Sequence, residues 1–166
     1  MRRRTRRGVY AGSFDPLTVG HLWMIEQGVT LFDHLTVAIG INSDKRYSFS
    51  LEERLAMLRE SLAKYRRLTI ASFSSTYLIH YAQQIRATHI LRGIRSMNDY
   101  DYERAMRHVN SDLNPAIATV FLMPPRSIAE VSSSMVKGLI GPKGWQKVVR
   151  PYVPEAVYRR LVKTHP

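Results

Sequence analysis

Short apolar segments alternate with longer amphipathic segments along almost the whole chain, and this alternation constrains the fold more than any other feature. Strands that alternate with helices predict a parallel sheet, because each helix carries the chain back to start the next strand. We therefore expect an α/β fold in which helices cover both faces of a doubly wound, five-stranded parallel sheet. The predicted strands are 8–11, 35–41, 68–73, 89–91 and 118–123, and the predicted helices begin near residues 18, 50, 77, 99, 132 and 154. A Gly- and Pro-rich loop that contains Trp145 is expected between the last two helices.

A basic segment precedes the first predicted strand. It holds five of the 25 Lys and Arg residues, at positions 2, 3, 4, 6 and 7, and without them the net charge falls from +12 to +7. We predict residues 1–7 to be a disordered tail and residues 8–166 to be a single domain. A nucleic-acid or membrane arm is the alternative interpretation of the tail. The positive charge of the whole chain indicates an anionic partner, which could be a nucleic acid, a membrane surface or a polyphosphate ligand.

The composition excludes several kinds of chemistry. The chain has no Cys, so it can form neither a disulfide nor a thiolate metal site and cannot use a thiol nucleophile. The basic amino terminus lacks the apolar central region that is typical of a signal peptide, and no segment approaches the roughly 18 apolar residues of a membrane span. We expect a soluble, cytoplasmic protein that does not bind membranes.

The segment 12–21 follows the first predicted strand and has the sequence Gly-Ser-Phe-Asp-Pro-Leu-Thr-Val-Gly-His. Thr18 is a candidate N-cap, which places His21 in the first turn of a helix. Unpaired N–H groups and the helix dipole attract phosphate at such a position. A simple tight turn with a capping His is the alternative. The segment has neither the Gly-x-Gly-x-x-Gly of dinucleotide folds nor the Lys of a P-loop, so it predicts another kind of nucleotide site.

Three other polar segments are expected beside this turn, because the carboxyl ends of parallel strands share one edge of the sheet. They are residues 42–45, 92–95 and 126–134. In the second, Arg92-Gly93-Ile94-Arg95 places two guanidinium groups where they can bind phosphate oxygens, with solvated surface arginines as the alternative. In the third, residues 132–134 are all Ser and predict a helix start that suits phosphate or serves only as a cap.

Six motifs in order along the chain resemble those of the bacterial phosphopantetheine adenylyltransferase family, over roughly residues 8–165. They are Gly-Ser-Phe-Asp-Pro-Leu-Thr-Val-Gly-His at 12–21, Ser-Leu-Glu-Glu-Arg at 50–54, Leu-Arg-Gly-Ile-Arg at 91–95, Asp-Tyr-Asp-Tyr-Glu at 99–103, Val-Phe-Leu-Met-Pro at 120–124 and Val-Ser-Ser-Ser-Met-Val-Lys at 131–137. The Thr-x-Gly-His motif alone marks only the wider nucleotidyltransferase superfamily. The full set is specific to this family.

The resemblance implies a Rossmann-like fold and an enzyme of coenzyme A biosynthesis. Such an enzyme transfers AMP from ATP to 4′-phosphopantetheine, with Mg²⁺ as cofactor, and forms dephospho-coenzyme A and pyrophosphate. The acceptor phosphate attacks the α-phosphorus in line, without a covalent intermediate. Catalysis then consists of positioning and charge neutralisation. The resemblance also implies a homohexamer.

The resemblance assigns roles to individual residues, and His21 is the implied catalytic residue, which stabilises charge at the α-phosphate. The implied ATP-binding residues are Ser13, Phe14, His21, Gly93, Ile94, Arg95, Glu103, Ile128, Ala129, Glu130, Val131, Ser132, Ser133 and Ser134. The implied acceptor-binding residues are Ser13, Lys45, Leu78 and Arg92. No residue is implied as a metal ligand.

Some of these assignments have simpler alternatives. Lys45 lies in a polar loop and could be solvated, and Glu103 could pair with Arg107 one helical turn later. We interpret Tyr102 as a packing residue. The segment 74–77 is one residue longer than the family pattern, which shifts the expected pantetheine contact near Leu78 by about one position.

Two other functions would fit parts of the sequence. Transfer of AMP to nicotinamide mononucleotide would use the same turn, but the Arg-Gly-Ile-Arg and Val-Ser-Ser-Ser motifs favour pantetheine. A basic nucleic-acid-binding module would follow from the charge. The basic residues are scattered, however, and no nucleic-acid-binding motif is present. We therefore expect ATP and 4′-phosphopantetheine as ligands, and no nucleic acid.

Overall fold

A computed structural model describes residues 5–165 of the chain. Its five strands form one parallel sheet in the order β3-β2-β1-β4-β5. This arrangement confirms the doubly wound fold predicted from the alternation of segments, and each strand lies within two residues of its predicted position. The strands are β1 (Arg7–Gly12), β2 (His34–Ile41), β3 (Leu68–Ser74), β4 (His89–Gly93) and β5 (Ala118–Leu122).

Seven helices connect and follow the strands in the described part of the chain. The helices are α1 (Val19–Leu31), α2 (Leu51–Leu62), α3 (Leu78–Gln84), α4 (Met97–Leu113), α5 (Ser133–Gly138), α6 (Trp145–Val149) and α7 (Glu155–Thr164), and a 3₁₀ turn spans Arg150–Tyr152. The prediction of a loop around Trp145 is wrong in part, because α6 begins at this residue. Gly144 enters this helix with a φ of 84°, and the Trp145 ring is buried. Within residues 5–165, no helix is long and apolar enough to cross a bilayer.

The first two helices begin where the sequence predicts, after Thr18 and after Ser50. Ser50 and Glu53 form a reciprocal capping box, in which each side chain accepts the other residue's backbone N–H. At α1 the same arrangement is made by Thr18 and His21, so an imidazole replaces the usual carboxylate. The local sequence thus determines where both helices start.

The amino-terminal boundary lies earlier than predicted. Strand β1 begins at Arg7, which pairs with His34 in β2. The N–H of Arg6 donates to the Asp33 carboxylate (2.8 Å), and its guanidinium forms an ion pair with the same group (3.6 Å). These two residues therefore belong to the folded domain and not to a tail. Residues 1–4 lie outside the described residues.

Apolar side chains from successive positions of β1 pack on opposite faces of the sheet. Tyr10 joins a cluster with Ile25 of α1, Leu58 of α2 and Leu161 of α7. Val9 joins a second cluster, to which α3 contributes Ile79, Tyr81 and Ala82. Both faces are covered, as the near-continuous apolar strands require.

Strand β1 lies between β2 and β4, so the strand order reverses beside it. The chain leaves β1 toward β2 on one side, and β4 and β5 lie on the other. In open parallel sheets such a reversal opens a crevice at the carboxyl ends of the strands, where ligands bind. The turn that follows Gly12 lies at this position.

Gly8 allows α1 to pack closely on β1. A Cβ at Gly8 would lie 2.3 Å from Cδ2 of the buried Phe32 ring. We expect Gly8→Ala to lower the free energy of unfolding by about 1–3 kcal/mol, because a rigid ring in a packed core cannot move aside without strain. Urea denaturation measures this difference. Gly138→Ala is the control, since its Cβ would meet no atom within 4 Å. Equal stability of the Gly8→Ala variant and the unchanged protein would contradict the packing argument.

Candidate functional site

The turn between β1 and α1 is held in a fixed shape by its own buried side chains. Phe14 is 1% exposed and has a φ of 47°. Its ring packs edge-on against Tyr10 (5.6 Å between centroids) and His21 (5.2 Å). Thr18 is fully buried. The turn is therefore a rigid element on which His21 is mounted.

The hydrogen bonds of His21 determine its tautomer. The Thr18 N–H donates to Nδ1 (3.1 Å), and the Thr18 hydroxyl lies 2.9 Å from the same nitrogen. An amide N–H can only donate, so Nδ1 is the acceptor and the proton of the neutral ring is on Nε2. Burial lowers the pKa of His21 from 6.5 to about 4, and the positive charge of Arg95 acts in the same direction. At neutral pH, His21 is an uncharged donor through Nε2–H.

A buried carboxylate joins the turn to two neighbouring elements. Asp15 is 3% exposed and accepts the backbone N–H groups of Ser48 and Phe49 (both 2.9 Å). Lys137 of α5 donates to it as well (3.2 Å). Neither Asp15 nor Lys137 is among the site residues predicted from the sequence. An Asp followed by Pro in a turn is a signal for such a residue, but its partners are far away in sequence.

Arg92, at the end of β4, is held from both sides. Its Nε and one terminal nitrogen donate to both oxygens of the Glu103 carboxylate in α4. Its other terminal nitrogen donates to the Ala11 carbonyl (3.1 Å). Glu103 is 8% exposed and pairs with Arg92, so the alternative pairing with Arg107 is wrong. The paired hydrogen bonds to Glu103 fix the plane of the Arg92 guanidinium at the carboxyl end of β4.

Arg95 and the loop that ends at Ser132–Ser134 complete the polar surroundings of the turn. Arg95 forms an ion pair with Asp99 (3.0 Å) at the start of α4. Ser132 caps α5 by accepting the Met135 N–H (3.1 Å), and the Ser133 hydroxyl donates to the Pro16 carbonyl (2.8 Å). The loop is thereby attached to the turn that carries His21.

These elements enclose a cleft of about 470 Å³. His21, Arg92, Arg95 and Glu103 lie along it. Eight further predicted site residues line the same cleft, namely Ser13, Lys45, Gly93, Ile128, Val131, Ser132, Ser133 and Ser134. We refer to it as the first cleft.

A second cleft of about 330 Å³ opens from the same place toward α3 and α4. Its outer part is apolar and includes Phe73, Leu78, Met106, Val109 and Leu113. The two clefts share one polar junction, which consists of Ala11, Gly12, Ser13, Lys45, Arg92, Tyr102 and Glu103. The predicted acceptor residues Ser13, Lys45 and Arg92 all lie in this junction, and Leu78 lies in the apolar part.

Four predicted site residues line neither cleft. Phe14 and Ile94 are buried beneath the site, where they support it, and Ala129 and Glu130 lie in the loop before α5. Tyr102 was interpreted as a packing residue, and this is wrong because its side chain is 62% exposed and lines both clefts. It projects from α4 beside Glu103, a placement that depends on tertiary structure.

A larger cleft of about 610 Å³ lies at the ends of β2 and β3, between residues 41–43 and 74–80. No predicted site residue lines it. Within residues 5–165, no three His, Asp or Glu side chains are placed to hold a metal ion. The chemistry-bearing residues are therefore concentrated at the first two clefts.

The chain is similar in sequence to known proteins. The model of the cytidylyltransferase-like family matches residues 9–139. A phosphopantetheine adenylyltransferase from Chromobacterium violaceum is 56% identical over 160 residues, which cover 96% of this chain and 98% of that protein. One from Neisseria meningitidis serogroup B is also 56% identical, covering 96% of this chain and 94% of that protein.

A solved structure has the same fold. The nicotinic acid mononucleotide adenylyltransferase of Plasmodium falciparum, complexed with NaAD, has a TM-score of 0.74 with this chain. The match covers 97% of this chain and 96% of that chain, at 14% sequence identity. At this identity the similarity concerns the fold alone.

The tautomer and low pKa of His21 predict its titration. We expect the Cε1–H resonance of His21, followed by NMR, to stay constant from pH 8 to about pH 5 and to shift only near pH 4. The pKa of His21 in the folded protein lies below the unfolded value of 6.5. Between pH 6.5 and about pH 4 the unfolded state therefore binds a proton that the folded state excludes, and the folded state loses stability as the pH falls through this range. A midpoint near pH 6.5 in the folded protein would contradict this environment.

Proposed function

Because the chain belongs to the phosphopantetheine adenylyltransferases, within the cytidylyltransferase-like family, we propose that it transfers AMP from ATP to 4′-phosphopantetheine. The products are dephospho-coenzyme A and pyrophosphate. The observation that carries this proposal is the pair of clefts that meet at one polar junction. A reaction between two phosphate-bearing substrates requires such a meeting point, because both reacting groups must be held within bonding distance.

ATP would occupy the first cleft. The first cleft is lined by Arg95, by the hydroxyl groups of Ser132 and Ser134 and by the N–H groups at the start of α5, which would donate to a triphosphate. Gly20 faces the Val131 carbonyl at the other wall, where an added Cβ would lie 3.1 Å from it. The lack of a side chain at Gly20 thus lets α1 approach the loop before α5 closely, which closes this wall of the first cleft.

The acceptor would occupy the second cleft. Its apolar part, with Phe73, Leu78 and Met106, suits the uncharged pantetheine arm, and the junction with Lys45 and Arg92 suits its phosphate. Two N–H hydrogens of the Arg92 guanidinium are not used by Glu103 or Ala11. They remain for a phosphate oxygen.

The reaction would be a direct displacement. An oxygen of the acceptor phosphate forms a bond to the α-phosphorus of ATP, and the bond from that phosphorus to the bridging oxygen of pyrophosphate breaks. His21 would donate its Nε2–H to an α-phosphate oxygen, which gains charge in the transition state. A neutral donor suits this role because it need not lose or gain a proton during the reaction.

Mg²⁺ would enter bound to the triphosphate, where it neutralises phosphate charge. The carboxylates at the first cleft, Asp99 and Glu103, are already paired with Arg95 and Arg92. The described residues thus offer no dedicated cage, which fits an ion that keeps several waters and binds through substrate phosphates. We also expect a homohexamer in the cytoplasm, and light scattering of the purified protein tests the assembly.

The proposed activity is tested by release of pyrophosphate. Purified protein with ATP and Mg²⁺ should release it when 4′-phosphopantetheine is added and not when nicotinamide mononucleotide is added. A coupled assay follows both acceptors side by side. Turnover with the mononucleotide only, or none with either acceptor by folded protein, would overturn the proposal.

Replacement of His21 separates catalysis from binding. We expect His21→Ala to lower kcat by about 100- to 1000-fold, as loss of one transition-state donor does, while the Kd for ATP changes by less than about fivefold. Steady-state kinetics and calorimetric titration give the two numbers. Equal losses in kcat and ATP affinity would instead indicate a ground-state binding role.

Lys45 provides a test of the junction. Its side chain is exposed and forms no ion pair with residues 5–165. We expect Lys45→Met to raise the KM for 4′-phosphopantetheine about tenfold, with little change in Tm or in the KM for ATP. Lys143→Met, which removes the same charge from an exposed loop outside both clefts, is the matched control. Identical kinetics of the two variants would contradict the placement of the acceptor phosphate.

A further inference from the structure

Arg54 of α2 lies buried directly beneath the turn that carries His21. It is 2% exposed. Its Nε donates to the Ser50 carbonyl (3.3 Å), and one terminal nitrogen donates to the Ser13 carbonyl (3.0 Å). The guanidinium stacks over the ring of Tyr47, 4.0 Å from the centroid. Neither the motif resemblance nor the cleft lining assigns any function to this residue.

All partners of Arg54 in residues 5–165 are uncharged. The other cations around the site differ in this respect. Arg92 pairs with Glu103, Arg95 with Asp99 and Lys137 with Asp15. A buried charge without a counter-ion is costly, because carbonyls and a ring replace only part of its hydration. The structure therefore keeps an unneutralised positive charge under the site.

Through its hydrogen bond to the Ser13 carbonyl, Arg54 contacts a residue that lines the junction of the two clefts. The Ser13 carbonyl and the Phe14 N–H belong to one peptide group. A guanidinium that binds the carbonyl polarises the group and makes its N–H a stronger donor. No hydrogen bond within the described residues uses the Phe14 N–H. The φ of 47° at Phe14 turns the chain just after this N–H.

We propose that Arg54 is a positioning residue for the phosphates of the substrates. An anion that accepts the Phe14 N–H at the junction would offset the buried charge of Arg54. Arg54 would strengthen this hydrogen bond by polarising the Ser13–Phe14 peptide group. This inference rests on the proposed function, since it assumes that phosphates bind at the junction. It adds a charged residue beneath the site that contacts neither substrate.

A merely structural role makes a different prediction. If Arg54 only tied α2 to the turn, its loss would weaken every ligand of the site or none. If its charge acts on bound anions, its loss weakens charged ligands and leaves uncharged ones unaffected. Pyrophosphate with Mg²⁺ and adenosine are the matched probes, because each represents one part of ATP.

The test uses Arg54→Met in the full chain, with calorimetric titration of both probes. We expect Mg²⁺–pyrophosphate to bind about tenfold or more weakly, the loss of one charged interaction, and adenosine to bind within twofold of the unchanged protein. Arg159→Met is the control for net charge, since Arg159 pairs with Glu60 at an exposed site on α7. It should leave both affinities unchanged.

Arg54→Lys keeps the test decisive if the Met variant does not fold. It retains the charge but not the planar fork, so we expect pyrophosphate affinity within about threefold of the unchanged protein. Three results would overturn this inference alone. Arg54→Met could bind pyrophosphate as tightly as the unchanged protein, or it could lose affinity for pyrophosphate and adenosine equally. Folded Arg54→Lys could lose affinity for pyrophosphate by tenfold. Failure of the unchanged protein to bind pyrophosphate or ATP would overturn the proposed function together with it.

Discussion

The placement of β1 at the centre of a parallel sheet is the constraint on which the rest of the molecule depends. Because the strand order reverses beside β1, the turn after Gly12 faces an open crevice. The same topology places the ends of β4 and β5 next to this turn, which brings Arg92 and the loop before α5 to it. Within residues 5–165 the strand order reverses once, and the two clefts meet at this reversal.

Paired charges hold the walls of the site in place before any substrate binds. Glu103 fixes Arg92, Asp99 fixes Arg95, and Asp15 links the turn to α5 through Lys137. Groups held in this way need little reorganisation when charge develops on a phosphate, which is how fixed dipoles and charges accelerate such transfers. His21 fits the same pattern, because Thr18 fixes its ring orientation and its tautomer.

Local patterns predicted most of the fold, and they predicted the site only in part. Apolar strands and capping residues such as Thr18 and Ser50 are signals carried by neighbouring residues, and the structure has both helix starts where they were expected. The pairing of Arg92 with Glu103 depends on how α4 packs against β4, and the pairing of Asp15 with Lys137 spans 122 positions. Helix α6 follows a Gly- and Pro-rich segment, so its start at Trp145 depends on burial of the ring.

We propose that the two substrates react directly with each other where the clefts meet. The configuration at the α-phosphorus tests it most directly. ATP made chiral at this phosphorus by isotopic or sulfur substitution can be converted to product, and the configuration of the product can be determined by ³¹P NMR. A single in-line displacement inverts the configuration, which is the result predicted here. Retention would require two displacements through an enzyme-bound adenylyl group and would contradict the account.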